Sequence, residues 1–299
     1  MTTSNDASGT AAAPYQAAGS LQGRTILISG GSRGIGLAIA TRAARDGANI
    51  VLMAKTGQPH AKLAGTVYSA AEELEAVGGQ ALPLVGDVRN DDDVAGAVAA
   101  AIGRFGGIDV VINNASAIDL STTDDVDMKR YDLMQDINVR GTFLLSKLAL
   151  PALRKSAGGH ILTLSPPLNL DPKWAGKHLA YTMAKYGMSL TTLGLAEELK
   201  GDGINVNSLW PCTLIDTAAI RNMPGGEAMV QAARGPQIMA DAAHAVLTGS
   251  NLAGKDAPGG SSTGNFYTDE QVLAAAGVTD FRPYSLGAAE DQLVPDIFL

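Results

Sequence analysis

Six short apolar segments alternate with helix-like stretches along this chain. The segments occupy residues 25–28, 49–53, 81–85, 108–112, 160–164 and 204–209, and most are apolar nearly throughout. The helix-like stretches lie near 35–46, 67–77, 91–105, 128–150 and 180–200. Continuous apolar strands are typical of parallel sheets covered on both faces. Strand–helix alternation therefore predicts an α/β fold, a single doubly wound Rossmann-type domain with a mostly parallel seven-stranded sheet.

The 299 residues divide into three predicted parts. Residues 1–20 are rich in Ala, Ser, Thr and Gly, a composition that indicates a disordered leader. We expect the dinucleotide-binding catalytic domain to span 21–270, because α/β folds often reach about 250 residues as one domain. Residues 271–299 are expected to form a C-terminal extension packed on that domain.

Charge and cysteine content exclude several classes of function. The net charge of −8, with 22 basic and 30 acidic residues, argues against a nucleic-acid surface or an anionic membrane surface. No apolar run reaches about 18 residues, so no membrane span is predicted. The single cysteine, Cys212, excludes an intramolecular disulfide, and the four histidines lack metal-ligand spacing, so no metal site is predicted. We expect a cytoplasmic protein, since the thiol content suits a reducing compartment.

A glycine-rich turn follows the first apolar segment and opens the first helix. Its predicted cofactor-binding residues are Gly30, Ser32, Arg33, Gly34, Ile35 and Gly36. Glycines permit positive φ and let a phosphate approach the backbone closely. The helix N-terminus then offers free N–H groups and a positive dipole to a pyrophosphate. The turn therefore predicts a dinucleotide site.

The end of the second strand indicates which dinucleotide is bound. An acid is expected there when the ribose 2′-hydroxyl is recognised, but the segment ends in Met53-Ala54-Lys55-Thr56. Lys55 is a cation where a 2′-phosphate would lie, and Arg33 in the glycine turn can reach the same phosphate. Two cations without a carboxylate favour NADP over NAD.

Tyr181 and Lys185 are four residues apart in a helix-like stretch. That spacing places both side chains on one helix face. A free tyrosine has a pKa of about 10 and is a poor base at neutral pH. A nearby ammonium lowers the tyrosine pKa. Tyr181 could then accept a proton from an alcohol, or donate one to a ketone, while a hydride moves.

Together these residues resemble the short-chain dehydrogenase/reductase family, over about residues 22–217 in the family's order. The matches are the glycine turn, Asp87-Val88, Asn113-Asn114-Ala115, Asn138, Tyr181 with Lys185, and Pro211. A narrower resemblance, carried by residues 54–60, 165–170, 180–188 and 263–266, is to the hydroxysteroid dehydrogenase-like protein 2 branch. It covers the dehydrogenase part and not the sterol-carrier domain of that branch's animal members.

The resemblance implies roles for the matched residues. Asp87 and Val88 would contact the adenine, and Asn114 with Ala115 would lie near the cofactor. Asn138 would hold a water in a proton relay to Lys185. Tyr181 would be the acid/base, and Lys185 would bind the nicotinamide ribose. Cofactor contacts would also come from Pro211 and from a downstream threonine, either Thr213 or Thr217, with Thr217 favoured.

One catalytic position departs from the family pattern. The family's third catalytic group is a serine after the fifth strand, and the run here is Leu162-Thr163-Leu164-Ser165-Pro166-Pro167. The usual catalytic position is Pro166, which has no hydroxyl. Either Ser165 is turned toward the site by the two prolines, or another group orients the substrate carbonyl, or the chemistry is weakened. Ser165 is kept as a candidate catalytic residue.

These features predict an NADP-dependent oxidoreductase that interconverts a small apolar alcohol and its carbonyl compound. The lipid connections of the branch suggest a place in lipid metabolism. One alternative is a catalytically weak NADP-binding protein that acts as a sensor or serves a partner protein. A second is an acyl-thioester reductase in lipid metabolism, which would need a basic patch for the thioester carrier. The resemblance also implies a homodimer or homotetramer, paired through the helices near 128–150 and 180–200.

Overall fold

The computed structural model describes residues 15–59, 65–223, 225–249 and 262–299. In these ranges seven strands form one sheet in the order β3-β2-β1-β4-β5-β6-β7. The strands are β1 Thr25–Ser29, β2 Asn49–Ala54, β3 Gln80–Val85, β4 Val110–Asn113, β5 His160–Thr163, β6 Asn205–Trp210 and β7 Phe266–Thr268. Every neighbouring pair is parallel, so the predicted doubly wound fold is confirmed and the sheet is parallel throughout.

Helices cover both faces of the sheet. They are α1 Gly34–Arg45, α2 Val67–Ala76, α3 Asp91–Phe105, α4 Met128–Met134, α5 Gly141–Leu153, α6 Pro172–Lys177, α7 Leu179–Glu198, α8 Ala218–Arg221, α9 Gly226–Met229, α10 Gln237–Thr248 and α11 Asp269–Ala275. Side chains of β1 alternate between the two faces: Ile26 and Ile28 join the core under α1, α10 and α11, and Leu27 joins the core under α3 and α5. This alternation is the period-2 geometry of a strand buried on both sides.

The helix predicted near 128–150 is interrupted. Residues Gln135–Arg140 form a π-helical turn between α4 and α5. Asn138 in this turn is fully buried, and its amide pairs with the backbone of Ala117 in the loop after β4. A π-turn widens the helix by one residue per turn and is frequent at functional sites. Here it lets Asn138 fasten the loop that leads away from the centre of the sheet.

The predicted leader over 1–20 lies mostly outside the described residues. Within 15–20, Tyr15 is buried, and its hydroxyl forms a hydrogen bond with His244 Nδ1 at 3.1 Å. The His244 ring is also bonded to Asp46, so Tyr15 is tied to the core at α10. The limits of the domain over 21–270 and of the extension over 271–299 stay predictions. No helix in the described ranges has the length and apolarity needed to cross a bilayer.

Candidate active site

A cavity of about 500 Å³ opens at the carboxyl ends of the strands. The strand order reverses between β1 and β4, and this switch point is where open α/β sheets bind ligands. Most predicted site residues line the cavity: Gly30, Ser32, Arg33, Gly34, Ile35, Lys55, Asp87, Val88, Asn114, Ala115, Tyr181, Lys185, Pro211 and Thr217. The fold therefore brings both ends of the predicted site, the glycine turn and the Tyr181–Lys185 pair, into one space.

The glycine turn packs too closely on the loop after β4 to accept side chains. Gly30 has φ 71°, and a Cβ there would lie 2.9 Å from the Cα of Ala115. A Cβ at Gly36 would lie 2.6 Å from the carbonyl oxygen of Gly30. Asn114 holds the glycine turn in this position, because its Nδ2 donates to the carbonyl oxygens of Ser29 and Gly30 at 3.1 and 2.8 Å. The backbone of residues 30–36 thus forms a glycine cradle that opens toward the cavity.

The N-terminus of α1 points into this cradle. The N-cap residue, Arg33, makes no side-chain capping hydrogen bond to the helix; its guanidinium donates to the carbonyl oxygen of Gly65 at 2.8 Å. The first-turn N–H groups of a helix lack partners within the helix, and they attract anions. The residues present therefore fit the pyrophosphate of a dinucleotide, which would be held by backbone amides.

Charged side chains surround the end of β2. Lys55 Nζ lies 3.1 Å from Asp87 Oδ2, and Arg89 Nη2 lies 2.6 Å from the same oxygen. The hydrogen bonds from Arg89, with those from Lys55, hold the pKa of Asp87 well below its usual range despite partial burial. Sequence reasoning missed Arg89, whose pairing with Asp87 depends on the turn after β3. Lys55 remains half-exposed and faces the cavity.

Tyr181 and Lys185 lie one turn apart on α7 and are both buried. Lys185 Nζ donates to the carbonyl oxygen of Leu164 at 2.9 Å and lies 5.0 Å from the centre of the Trp210 ring. Burial lowers the pKa of Lys185 to about 7, and the carboxylate of Asp296 opposes that shift. The pair therefore sits at the inner end of the cavity, away from bulk water.

The expected lowering of the Tyr181 pKa by Lys185 is not seen. Burial raises the pKa of Tyr181 well above its usual value, and Asp296 adds to this rise when its carboxyl group is ionised. The reason is that the phenol is covered on one side by the ring of Phe298, 6.1 Å away between ring centres, while the ammonium is directed at Leu164. Tyr181 is consequently a neutral phenol at neutral pH, the form that donates a proton.

Asn138 supports the cavity from behind its wall. Asn138 Oδ1 accepts from the Ala117 N–H at 2.7 Å, and its Nδ2 donates to the Ala117 carbonyl at 3.0 Å. Its neighbour Ile137 lines the cavity. The structure thus places the Asn138 amide on the loop after β4, where it holds the residues that form one side of the site.

Ser165, the candidate catalytic serine, is not among the residues that line the cavity. Its hydroxyl is fully buried and forms a 2.8 Å hydrogen bond with Ser208 Oγ, which in turn donates to Thr192. The Ser165 side chain is thus directed toward β6 and α7, which carry Ser208 and Thr192. The next position, Pro166, offers no hydroxyl, so the loop after β5 places no serine donor beside Tyr181.

Of Thr213 and Thr217, Thr217 is the better placed for contact with a cofactor in the cavity. It lines the cavity, caps the N-terminus of α8, and its methyl group would lie 3.4 Å from a Cβ at Gly34. Thr213 instead pairs with Pro295 through the backbone, and its hydroxyl is buried without a partner among the described residues. Thr217 therefore faces the glycine turn, and its contact with a cofactor stays a prediction.

The remaining wall of the cavity is apolar. Its lining includes Ile118, Leu120, Ile220, Met223, Met229 and Ile297. Sequence reasoning missed Asp296 and Ile297, because no local pattern connects the last residues of the chain with Tyr181. The described residues contain no cluster of three or more His, Cys, Asp or Glu side chains that could hold a metal ion.

Comparisons with known proteins agree with this geometry. The family model described as short chain dehydrogenase matches residues 24–226. Hydroxysteroid dehydrogenase-like protein 2 of Xenopus laevis is 53% identical over 281 residues, which cover 94% of this chain and 64% of that protein. The Homo sapiens protein of the same name is 52% identical with the same coverage. The chain thus spans about 64% of the length of these curated relatives.

A solved structure is similar over nearly its whole length. The crystal structure of a short chain dehydrogenase from Mycobacterium thermoresistibile is 50% identical and superimposes with a TM-score of 0.85. The match covers 94% of this chain and 96% of that one. The likeness therefore extends over more of the chain than the residues 24–226 that the family model matches.

Proposed function

The chain belongs to the short-chain dehydrogenase family, and from that premise we propose that it is an NADP-dependent oxidoreductase acting on an apolar alcohol and its carbonyl compound. The observation that carries this proposal is the single cavity described above. One end has the glycine cradle with Lys55, the other has Tyr181 with Lys185, and the wall between them is apolar. A small apolar carbonyl compound would fit against the apolar wall, since pockets with apolar walls and few polar groups recognise such ligands.

Each end of the cavity would hold a different part of the cofactor. The amides at the start of α1 would hold the pyrophosphate, Asp87 and Val88 the adenine, and Thr217 with Lys185 the nicotinamide end. When bound, the nicotinamide supplies or accepts the hydride. Tyr181 would give its hydroxyl proton to the carbonyl oxygen as the carbonyl carbon gains the hydride, so that the alcohol forms and a tyrosinate remains. Lys185 lies one turn away on α7 with its Nζ on the Leu164 carbonyl oxygen, and it would bind the nicotinamide ribose.

Preference for NADP would rest on Lys55. A charge-assisted hydrogen bond to a phosphate contributes about 1.5–3 kcal/mol. In Lys55→Ala we expect NADPH to bind about ten- to a hundredfold more weakly, while NADH affinity stays the same, because NADH lacks the 2′-phosphate. Fluorescence titration of both nucleotides measures this. Lys200→Ala, an exposed lysine paired with Glu197, is the control. Equal weakening of both nucleotides would contradict a contact with the 2′-phosphate.

The reaction itself is tested by turnover. Purified protein with NADPH would be screened against a panel of apolar ketones and, with NADP, against the matching alcohols, by the change in NADPH absorbance. Turnover with apolar compounds and not with charged ones of similar size is the expected result. NADPH binding without turnover on any of them would contradict the proposal.

A catalytically weak NADP-binding protein is the second candidate. Two observations favour it: Ser165 is bonded to Ser208 away from the cavity, and the Tyr181 ring is covered by Phe298. Such a protein would bind NADPH as tightly as an enzyme does and would show no ketone reduction. The same titration and turnover screen separates the two candidates.

We propose that copies of this chain associate through α5 and α7. Exposed apolar side chains lie on these helices, namely Phe143 on α5 and Met183, Leu190 and Leu193 on α7. Clusters of exposed apolar residues mark protein interfaces. We expect a dimer or tetramer by sedimentation velocity, and a shift toward monomer in Leu190→Asp. A monomeric wild-type protein at micromolar concentration would contradict this assignment.

A further inference from the structure

The last residues of the chain cross the substrate end of the cavity. This C-terminal segment, residues 293–299, pairs with the loop after β6: the Leu214 N–H donates to Val294 O at 2.9 Å, and the Asp296 N–H donates to Cys212 O at 3.0 Å. The pairing at Thr213 and Pro295 is antiparallel. It presents the side chain of Asp296 to the cavity that Tyr181 and Lys185 line.

Phe298 anchors this segment. It is 2% exposed, and its ring centre lies 5.3–6.1 Å from those of four aromatic rings, Trp174, Tyr181, Tyr186 and Trp210. The indole Nε1 of Trp210 also donates to Ile297 O at 2.9 Å. Burial of an aromatic ring in such a cluster stabilises its position by several kcal/mol, on the order of a Phe→Ala loss. Asp296 is therefore held in place between Pro295, which pairs with Thr213, and the buried Phe298.

The surroundings of Asp296 favour its neutral form. Burial raises the pKa of Asp296 to about 7; the carboxyl of Asp269 at the start of α11 adds to this rise, and Lys185 on α7 opposes it. The Ile297 N–H, which donates to Oδ1 at 2.7 Å, and a hydrogen bond from the Trp210 side chain lower the pKa of Asp296 and partly oppose the effect of burial. Tyr181 on α7 is the other titratable group that faces it. A carboxylic acid kept neutral by an apolar site can donate a hydrogen bond to a developing oxyanion.

The site lacks the serine hydroxyl, a hydrogen-bond donor, that the family usually has in the loop after β5. Pro166 has no hydroxyl, and Ser165 is bonded to Ser208. A ketone oxygen beside Tyr181 would then receive one hydrogen bond, from the phenol. A second donor matters because each preorganised donor to an oxyanion contributes about a hundredfold in rate.

We propose that Asp296 is a further catalytic residue, whose neutral carboxyl group donates a hydrogen bond to the substrate carbonyl oxygen in place of the missing serine. The inference rests on the proposed function, because it assigns Asp296 a part in ketone reduction. Tyr181 remains the proton donor, and Asp296 keeps its own proton throughout. As the pH rises above about 7, Asp296 ionises. The hydrogen bond is then lost, and a negative charge faces the forming alkoxide.

Two substitutions separate this role from a structural one. Asp296→Ala removes the donor and is expected to lower kcat for ketone reduction about a hundredfold. Asp296→Asn keeps an N–H donor and an acceptor for the Ile297 N–H. It is expected to retain kcat within about tenfold of wild type and to lose the Asp296 contribution to the fall in rate above neutral pH. Asp291→Asn, an exposed acid near the same segment, is the matched control.

The outcomes distinguish the alternatives. Equal losses in the Ala and Asn variants, or no loss in either, overturn the assignment. If the wild type binds NADPH and reduces no ketone, the proposed function has failed, and infrared spectroscopy then tests Asp296 directly. A carbonyl-labelled apolar ketone bound with NADP should show its C=O band at lower frequency in wild type and Asp296→Asn than in Asp296→Ala. Identical bands, or a ketone that does not bind, overturn the proposal.

Discussion

Tyr181→Phe is expected to lower turnover about a thousandfold while NADPH affinity stays within about twofold of wild type. The substitution removes one oxygen atom and keeps the ring that packs against Phe298. Because burial raises the pKa of Tyr181, its hydroxyl stays protonated at neutral pH, and its loss removes the proton donor for ketone reduction. Positioned acids and bases contribute about 10²–10⁴-fold in rate. Steady-state kinetics with NADPH and an active ketone measure the effect.

Tyr186→Phe is the matched control for this result. Tyr186 is on the same helix, its ring centre lies 5.3 Å from that of Phe298, and its hydroxyl donates to Asn169 O. Removing that hydroxyl is expected to cost about 1 kcal/mol in the free energy of unfolding, with little change in kcat. A loss below tenfold in Tyr181→Phe, or similar losses in both variants, would exclude Tyr181 as the acid.

Gly36→Ala is expected to weaken NADPH binding about a hundredfold and to lower the free energy of unfolding by about 1–3 kcal/mol. The added Cβ would lie 2.6 Å from Gly30 O and 2.5 Å from Asn114 Nδ2. Both atoms belong to the hydrogen bond that holds the glycine turn on the loop after β4. The turn must therefore shift, and the amides that would bind the pyrophosphate shift with it. Fluorescence titration and urea unfolding measure the two effects.

Gly96→Ala controls for the general effect of a glycine substitution in a helix. Gly96 is exposed on α3, and a Cβ there meets nothing within 4 Å. Replacing glycine by alanine inside a helix stabilises it by about 0.5–1 kcal/mol, so this variant should be slightly more stable and bind NADPH normally. Normal NADPH affinity in a folded Gly36→Ala protein would argue against the cradle as the pyrophosphate site.

The sequence by itself determined the parallel sheet and predicted the two ends of the candidate site. Strands such as β1 carry apolar residues on both faces because helices cover each side of the sheet. Five consecutive residues are enough to show this pattern in the sequence. The glycine turn and the Tyr181–Lys185 spacing are likewise local, because each depends on residues within one turn or one helix face. Local patterns of this kind specify which groups appear at the carboxyl edge of the sheet.

The tertiary structure decided which groups meet in the cavity. The direction of the Ser165 side chain, for example, depends on its hydrogen bond with Ser208, 43 residues further along the chain. The placement of Asp296 and Phe298 over Tyr181 depends on contacts such as Trp210 Nε1 to Ile297 O, across 87 residues. The protonation of Tyr181 also followed burial and not the neighbouring ammonium. Side-chain direction and desolvation arise from long-range packing, which no local pattern in the sequence encodes.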